Sequence, residues 1–136
     1  MQKVNIKGVI KKMTIQKLLE EIEKLKKSKE MMDNKRLLLL DEIEIINFTT
    51  KDEEEIKEKT NKIFNLSMKI KESEDIRHQL QKVVDDFIEK NFEIHEIKIF
   101  LYKYYHEMTF EEVAEKVCYS VRQTNRIYKK IVNTEI

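Results

Sequence analysis

Thr109-Phe110-Glu111-Glu112-Val113-Ala114-Glu115-Lys116-Val117-Cys118-Tyr119-Ser120-Val121-Arg122-Gln123-Thr124 reads as two short helical segments around a turn. Thr109 followed three residues later by Glu112 is a capping box, in which each side chain meets the other residue's backbone N–H. Val113 and Val117, four apart, share a helix face. Small Ala114 beside them leaves room for a second helix to come close. Ser120, with Gln123 three residues on, is the N-cap candidate for that second helix. Two capped helices joined by a tight turn are the outline of a helix-turn-helix.

Working towards the C-terminus, the last helix is expected from about Val121 to Asn133. Thr124, Ile127 and Ile131 fall at i, i+3 and i+7 and are expected to face inward. Arg122, Gln123, Arg126, Lys129 and Lys130 are left for the outer surface, with Asn125 near its edge. No Asp or Glu occurs between Lys116 and Thr134, a local cationic excess in a chain whose net charge is only +1. Such an excess counts for more than the net value when the partner is nucleic acid. Arg and Gln early in a helix of this kind reach base edges in the major groove, while later lysines suit phosphates. The expected DNA-contacting set is Thr109, Ser120, Val121, Arg122, Gln123, Asn125, Arg126, Lys129 and Lys130. The competing reading is a solvated cationic helix that complements its own dipole.

Working back from Thr109, Phe92, Ile94, Ile97, Phe100, Leu101, Tyr104 and Tyr105 mark a compact aromatic-rich helix that supports the pair. From Tyr102 to Ser120 the chain resembles region 4 of bacterial sigma factors. It is more closely similar to small phage and prophage regulators of the autolysin-regulator and late-operon activator type. Those often read arginine-tyrosine, a short turn, threonine-tryptophan-glutamate-glutamate-isoleucine-alanine, then glycine-tyrosine-serine. The match is best from about Phe100 to Lys130. The resemblance implies sequence-specific binding to double-stranded DNA and control of transcription, with RNA polymerase as a further partner. It also implies a bacterial or phage-infected cell, and the lack of a membrane span or signal peptide pattern makes a cytoplasmic location the expectation. Three positions depart from it, and at two of them, Cys118 and Glu107, the family commonly has glycine. A non-glycine residue held at positive φ costs on the order of 1 kcal/mol, so either the turn differs here or that strain is tolerated. Thr124 replaces a valine-like core residue.

Upstream lie two long helical patterns. The first, about Thr14 to Asn47, has a seam at Ile15, Leu18, Ile22, Leu25, Met32, Leu39, Ile43 and Ile46, with Lys29 and Arg36 in two further slots. That is a coiled-coil-like period interrupted by cations. Leu37, Leu38 and Leu40 lie off the seam, so this end is expected to be covered from more than one side, in part by a homodimer partner. The second pattern starts near Lys51, with Thr50 and Glu53 as a capping box and an acidic first turn. Its apolar positions, Ile56, Ile63, Leu66, Ile70, then Ile76, Leu80, Val83, Val84, Phe87 and Ile88, shift phase between Ile70 and Ile76. The short link predicts an antiparallel hairpin. The acidic cluster reads as a solvated first turn, because nothing in it resembles a calcium loop.

Composition closes off other classes. One Gly and no Pro among 136 residues argue against a turn-rich sandwich or barrel and against a phosphate-binding glycine loop. The single cysteine, Cys118, allows no internal disulfide and no cysteine-pair zinc site. It is expected to be a half-buried turn thiol. His78, His95 and His106 form no metal-binding pair of helical spacing, and His95 and Glu96 read as capping or solvated groups. No catalytic residue, metal or cofactor is expected. No apolar run approaches the roughly 18 residues of a membrane span, and the stretch from Met1 to Lys12 lacks the apolar core of a signal peptide.

The expectation is therefore an all-α chain with helices near 14–47, 51–90, 93–106, 109–117 and 120–133. Residues 1–12 form a basic, flexible extension. It is either a segment preceding a start at Met13 or an arm that touches phosphates. Residues 13–90 form a long helical hairpin that serves as an oligomerisation module. Residues 91–136 form a three-helix DNA-binding head. Two other classes stay open: a protein-interaction hairpin on which the last helices merely pack, and a packaging protein of the small-terminase kind, which usually carries its DNA-binding domain before the oligomerisation helices.

Overall fold

A computed structural model of the chain describes residue 10 and residues 12–136; the rest of the basic extension lies outside the described residues. Five helices follow one another: α1 (Ile15–Phe48), α2 (Glu53–Asn91), α3 (Ile94–Tyr104), α4 (Phe110–Val117) and α5 (Val121–Val132). Among the described residues there is no strand, only an isolated antiparallel bridge between Thr14 and Glu135. No helix is long and apolar enough to cross a membrane among the described residues. The chain divides into two compact units, Glu21–Gln79 and a head made of the described residues up to Glu20 with Leu80–Ile136.

The Glu21–Gln79 unit is an antiparallel pair, which its cross-helix contacts establish. Lys29 lies 3.8 Å from Glu74, Arg36 donates to Ser67 Oγ at 3.2 Å, and Lys59 donates to Glu42 at 2.7 Å. As the α1 number rises from 29 through 36 to 42, the α2 number falls from 74 through 67 to 59. The two cations that interrupt the α1 seam thus stand beside polar partners on α2. The turn between the helices is capped by Asp52, whose Oδ1 accepts from the N–H of Glu54 and Glu55 at 3.1 and 3.3 Å. This replaces the expected Thr50–Glu53 box. Lys51 adopts φ 52°, which ends the turn one residue later than Thr50 could cap. Nor is there a phase break after Ile70. Ile56, Lys59, Ile63, Leu66, Ile70, Ser73 and Arg77 are all at least half-buried in unbroken steps of three and four. Polar residues in three of those slots hide the period from a search for apolar ones. Leu37, Leu38 and Leu40 are 59%, 62% and 48% exposed, so nothing among the described residues covers them.

The head is larger than the expected 91–136. Ile15, Leu18 and Leu19 from the start of α1, and Leu80, Val84 and Ile88 from the end of α2, are buried with Ile99, Phe100, Val113, Ala114, Ile131 and Val132. Ile10, expected in a flexible extension, is buried as well. Backbone bonds close this unit: Ile15 N–H donates to Thr134 O, and Ile136 N–H to Met13 O, both at 3.0 Å. Phe100 is the largest fully buried side chain. It stacks on Tyr104 and Tyr128, with centroids 5.5 and 6.3 Å away, and meets Tyr105 edge-on. Aromatic pairs in these geometries add about 0.5–1.5 kcal/mol beyond area burial.

Candidate nucleic-acid interface

The interface candidate is built from α4, its turn and α5. Thr109 Oγ1 accepts from Glu112 N–H at 3.2 Å, and Glu112 Oε1 accepts from Thr109 N–H at 3.2 Å. The reciprocal box fixes where α4 begins. At its other end Cys118 adopts φ 61°, ψ 38°, the left-handed conformation. Tyr119 N–H then reaches back to Ala114 O at 3.1 Å, closing the helix end in the manner that usually requires glycine. Glu107, in the turn before α4, is also left-handed, with φ 52°. The strain at both positions is therefore present rather than relieved by a different turn. The Cys118 side chain is exposed, not half-buried, since the left-handed residue projects out of the turn.

Ser120 Oγ accepts from Gln123 N–H at 3.1 Å and starts α5. Thr124 is fully buried and donates its hydroxyl to Ser120 O at 2.9 Å, so a polar residue fills a core slot without an unmet hydroxyl donor. Ile131 and Val132 are also buried, and Tyr128 is half-buried between Phe100 and Phe110. Ile127, expected inside, is only half-buried. Counting 100° per residue, Tyr128 and Ile131 lie closer than Ile127 to the direction of Thr124, and Ile127 falls at the edge of the inward arc. Burial holds the Tyr128 hydroxyl above its ordinary value.

Opposite this arc stand Arg122, Arg126 and Lys129, all exposed and at i, i+4 and i+7. The remaining candidates are placed differently. Val121 is 42% exposed at the first turn. Gln123 is half-buried on one edge. Asn125 is half-buried on the other, where no donor among the described residues meets its buried Oδ1. Thr109 and Ser120 spend their hydroxyls as caps. Lys130 is exposed but donates to Glu96 Oε2 at 3.0 Å.

Glu96, read from the sequence as a capping or solvated group, is a cap and is buried, and it holds a second partner as well. Its other oxygen accepts from Glu93 N–H at 3.0 Å, and this backbone bond, with the Lys130 ammonium, holds the carboxyl below the usual carboxylate range. The capping relation to Glu93 lay in the local pattern, but nothing local connects residue 96 to residue 130. Glu93, His95 and Glu96 bring their possible ligand atoms within 4.8 Å of one another. Both Glu96 oxygens already have donors, and an ammonium stands at one of them, so the cluster reads as a helix start anchored to α5. Comparison with protein-family models, with curated proteins and with solved structures finds no match to this chain.

Proposed function

We propose that the chain is a sequence-specific DNA-binding regulator of transcription that lays α5 in the major groove. The observation that carries this reading is the division of α5 into two faces. Thr124, Ile131 and Val132 fasten one side into the head, while Arg122, Arg126 and Lys129 line the other with no acidic residue on the helix. Arg122 and Arg126 serve as base-reading groups, and Lys129 meets phosphate. Ser120 and Thr109 set the helix starts that present backbone N–H groups to the phosphate chain. The two left-handed residues, Cys118 and Glu107, stand where the sigma-region-4-like regulators commonly place glycine, which adds support from the backbone itself.

The test is selection of bound sequences from random DNA, followed by affinity measurements across a salt series. A recovered motif is expected, with Arg122→Ala or Arg126→Ala losing about 1–3 kcal/mol and relaxing preference at one position. Lys129→Ala is expected to weaken all sequences alike and to flatten the salt slope. Recovery of no motif, together with no salt-dependent binding, rejects the reading.

A further inference from the structure

Phe64 on α2 and Leu37 and Leu40 on α1 are 64%, 59% and 48% exposed, and they share one side of the hairpin. Arg36 reaches Ser67, and Lys29 reaches Glu74, over that side. Leu38 belongs to the other side, beside Lys35 and Glu42. Residues three or four apart share a helix face. Leu40 stands four after Arg36 with Leu37 three before it, and Phe64 stands three before Ser67. The same steps bring Glu30, Asp33 and Glu44 of α1, and Lys57 and Lys71 of α2, to this side. Leu37 and Leu40 lie about a quarter turn from the seam, where a further helix packs in a four-helix bundle.

This side repeats every seven residues on both helices. By the register of the cross-helix contacts, Lys71 stands level with the gap between Glu30 and Asp33. Phe64 stands level with the gap between Leu37 and Leu40, and Lys57 with the gap between Glu44 and Asn47. Glu30, Glu44, Lys57 and Lys71 are exposed and belong to no ion pair among the described residues. A two-fold axis parallel to the helices, lying over this side, sets α1 of each copy on α2 of the other and keeps every residue at its level. Phe64 of one copy then enters the Leu37–Leu40 gap of the other, and both lysines meet carboxylates. A two-fold axis along the same face but perpendicular to the helices instead sets α1 on α1 and α2 on α2. Centred on the same apolar patch, it brings Asp33 against Glu44 and Lys57 against Lys71, like charges at both ends. From this difference we infer that the Leu37–Leu40–Phe64 side of the hairpin docks on the same side of a second copy of this chain. The product is a four-helix bundle in which α1 of each copy lies on α2 of the other.

Sedimentation equilibrium of the full chain, without DNA, tests this separately from the DNA-binding reading. A reversible dimer is expected. Glu44→Lys and Lys57→Glu are each expected to weaken it about fivefold to tenfold, since each sets like charges against one another at two symmetric places. An equimolar mixture of these two variants is expected to associate to within about twofold of the parent, because each supplies the charge that the other lacks. Phe64→Gln is expected to sediment as a monomer with an unchanged helical circular dichroism spectrum. A parent chain that stays monomeric at its highest soluble concentration overturns the inference, and so does a mixture no tighter than the separate variants. A Lys57→Glu dimer tighter than the parent also overturns it, since that result belongs to the perpendicular axis.

Discussion

The Lys130 ammonium lies 3.0 Å from Glu96 Oε2, which ties the basic end of α5 to the first turn of α3. The lysine is exposed, whereas the carboxylate is mostly covered. Because the folded carboxyl sits below its ordinary value, its contribution is complete above the unfolded value and is lost as pH falls through the folded one. Glu96→Gln is expected to flatten the acid limb of a stability-against-pH curve, measured by thermal melts. Lys130→Met is expected to lower stability as well as any DNA affinity, unlike Lys129→Met, which touches affinity alone.

Cys118→Gly and Glu107→Gly replace side chains held in the left-handed region. Each is expected to raise stability by up to about 1 kcal/mol, less the extra entropy that glycine gives the unfolded chain. Urea unfolding measures this. A loss of stability at both positions would contradict the backbone geometry.

Ile131→Ala removes a fully buried side chain and is expected to cost about 2–5 kcal/mol. Ile127→Ala removes a half-buried one and is expected to cost clearly less. The same unfolding series ranks the two, and equal losses would put the inner arc of α5 one step away from where Tyr128 and Ile131 define it.

Tyr105 donates its hydroxyl to Asp85 Oδ1 at 2.6 Å and accepts from Gln81 Nε2. Burial first, then the bond to the Asp85 carboxylate, pushes the phenol above its ordinary value. Its contribution is thus complete below the unfolded tyrosine value and is lost as pH climbs through the raised one. Tyr105→Phe is expected to cost about 0.5–1.5 kcal/mol near neutrality for the lost hydrogen bonding. It should also make alkaline unfolding less steep, as alkaline denaturation followed by circular dichroism would show.

What could be read from the sequence was local in origin. The caps of α4 and α5 each involve residues three apart, so Thr109–Glu112 and Ser120–Gln123 were visible as written. All five helices fall within two residues of their expected ends; α3 stops at Tyr104, where the chain bends into the left-handed Glu107 turn. The exposed arginines of α5 follow from helical period alone. Asn125 and Lys130 do not, because their partners or their burial come from elsewhere in the head.

The differences come from polar groups in seam slots, from a left-handed residue that moves a cap, and from backbone bonds between segments far apart in sequence. Ser73 and Arg77 occupy seam slots of α2, and their polarity made a continuous stripe look broken. Asp52 displaced Thr50 as the cap because the left-handed Lys51 shifted the start of the helix. The compact unit extends beyond 91–136 because Leu80, Val84 and Ile88 are buried and backbone bonds bring in the start of α1, and such backbone bonds leave no trace in side-chain type.

The pairing of Met13 and Ile15 with Ile136 and Thr134 also sets an order of events during synthesis. A ribosome adds about 5–20 residues per second, so Ile15 waits on the order of ten seconds for its backbone partner, Thr134, to be made. The antiparallel pair within Glu21–Gln79 needs only chain already emerged. During that interval the apolar beginning of α1, Ile15, Leu18 and Leu19, lacks the surfaces that will bury it. The nascent chain is therefore most open to chaperones and proteases at the start of α1.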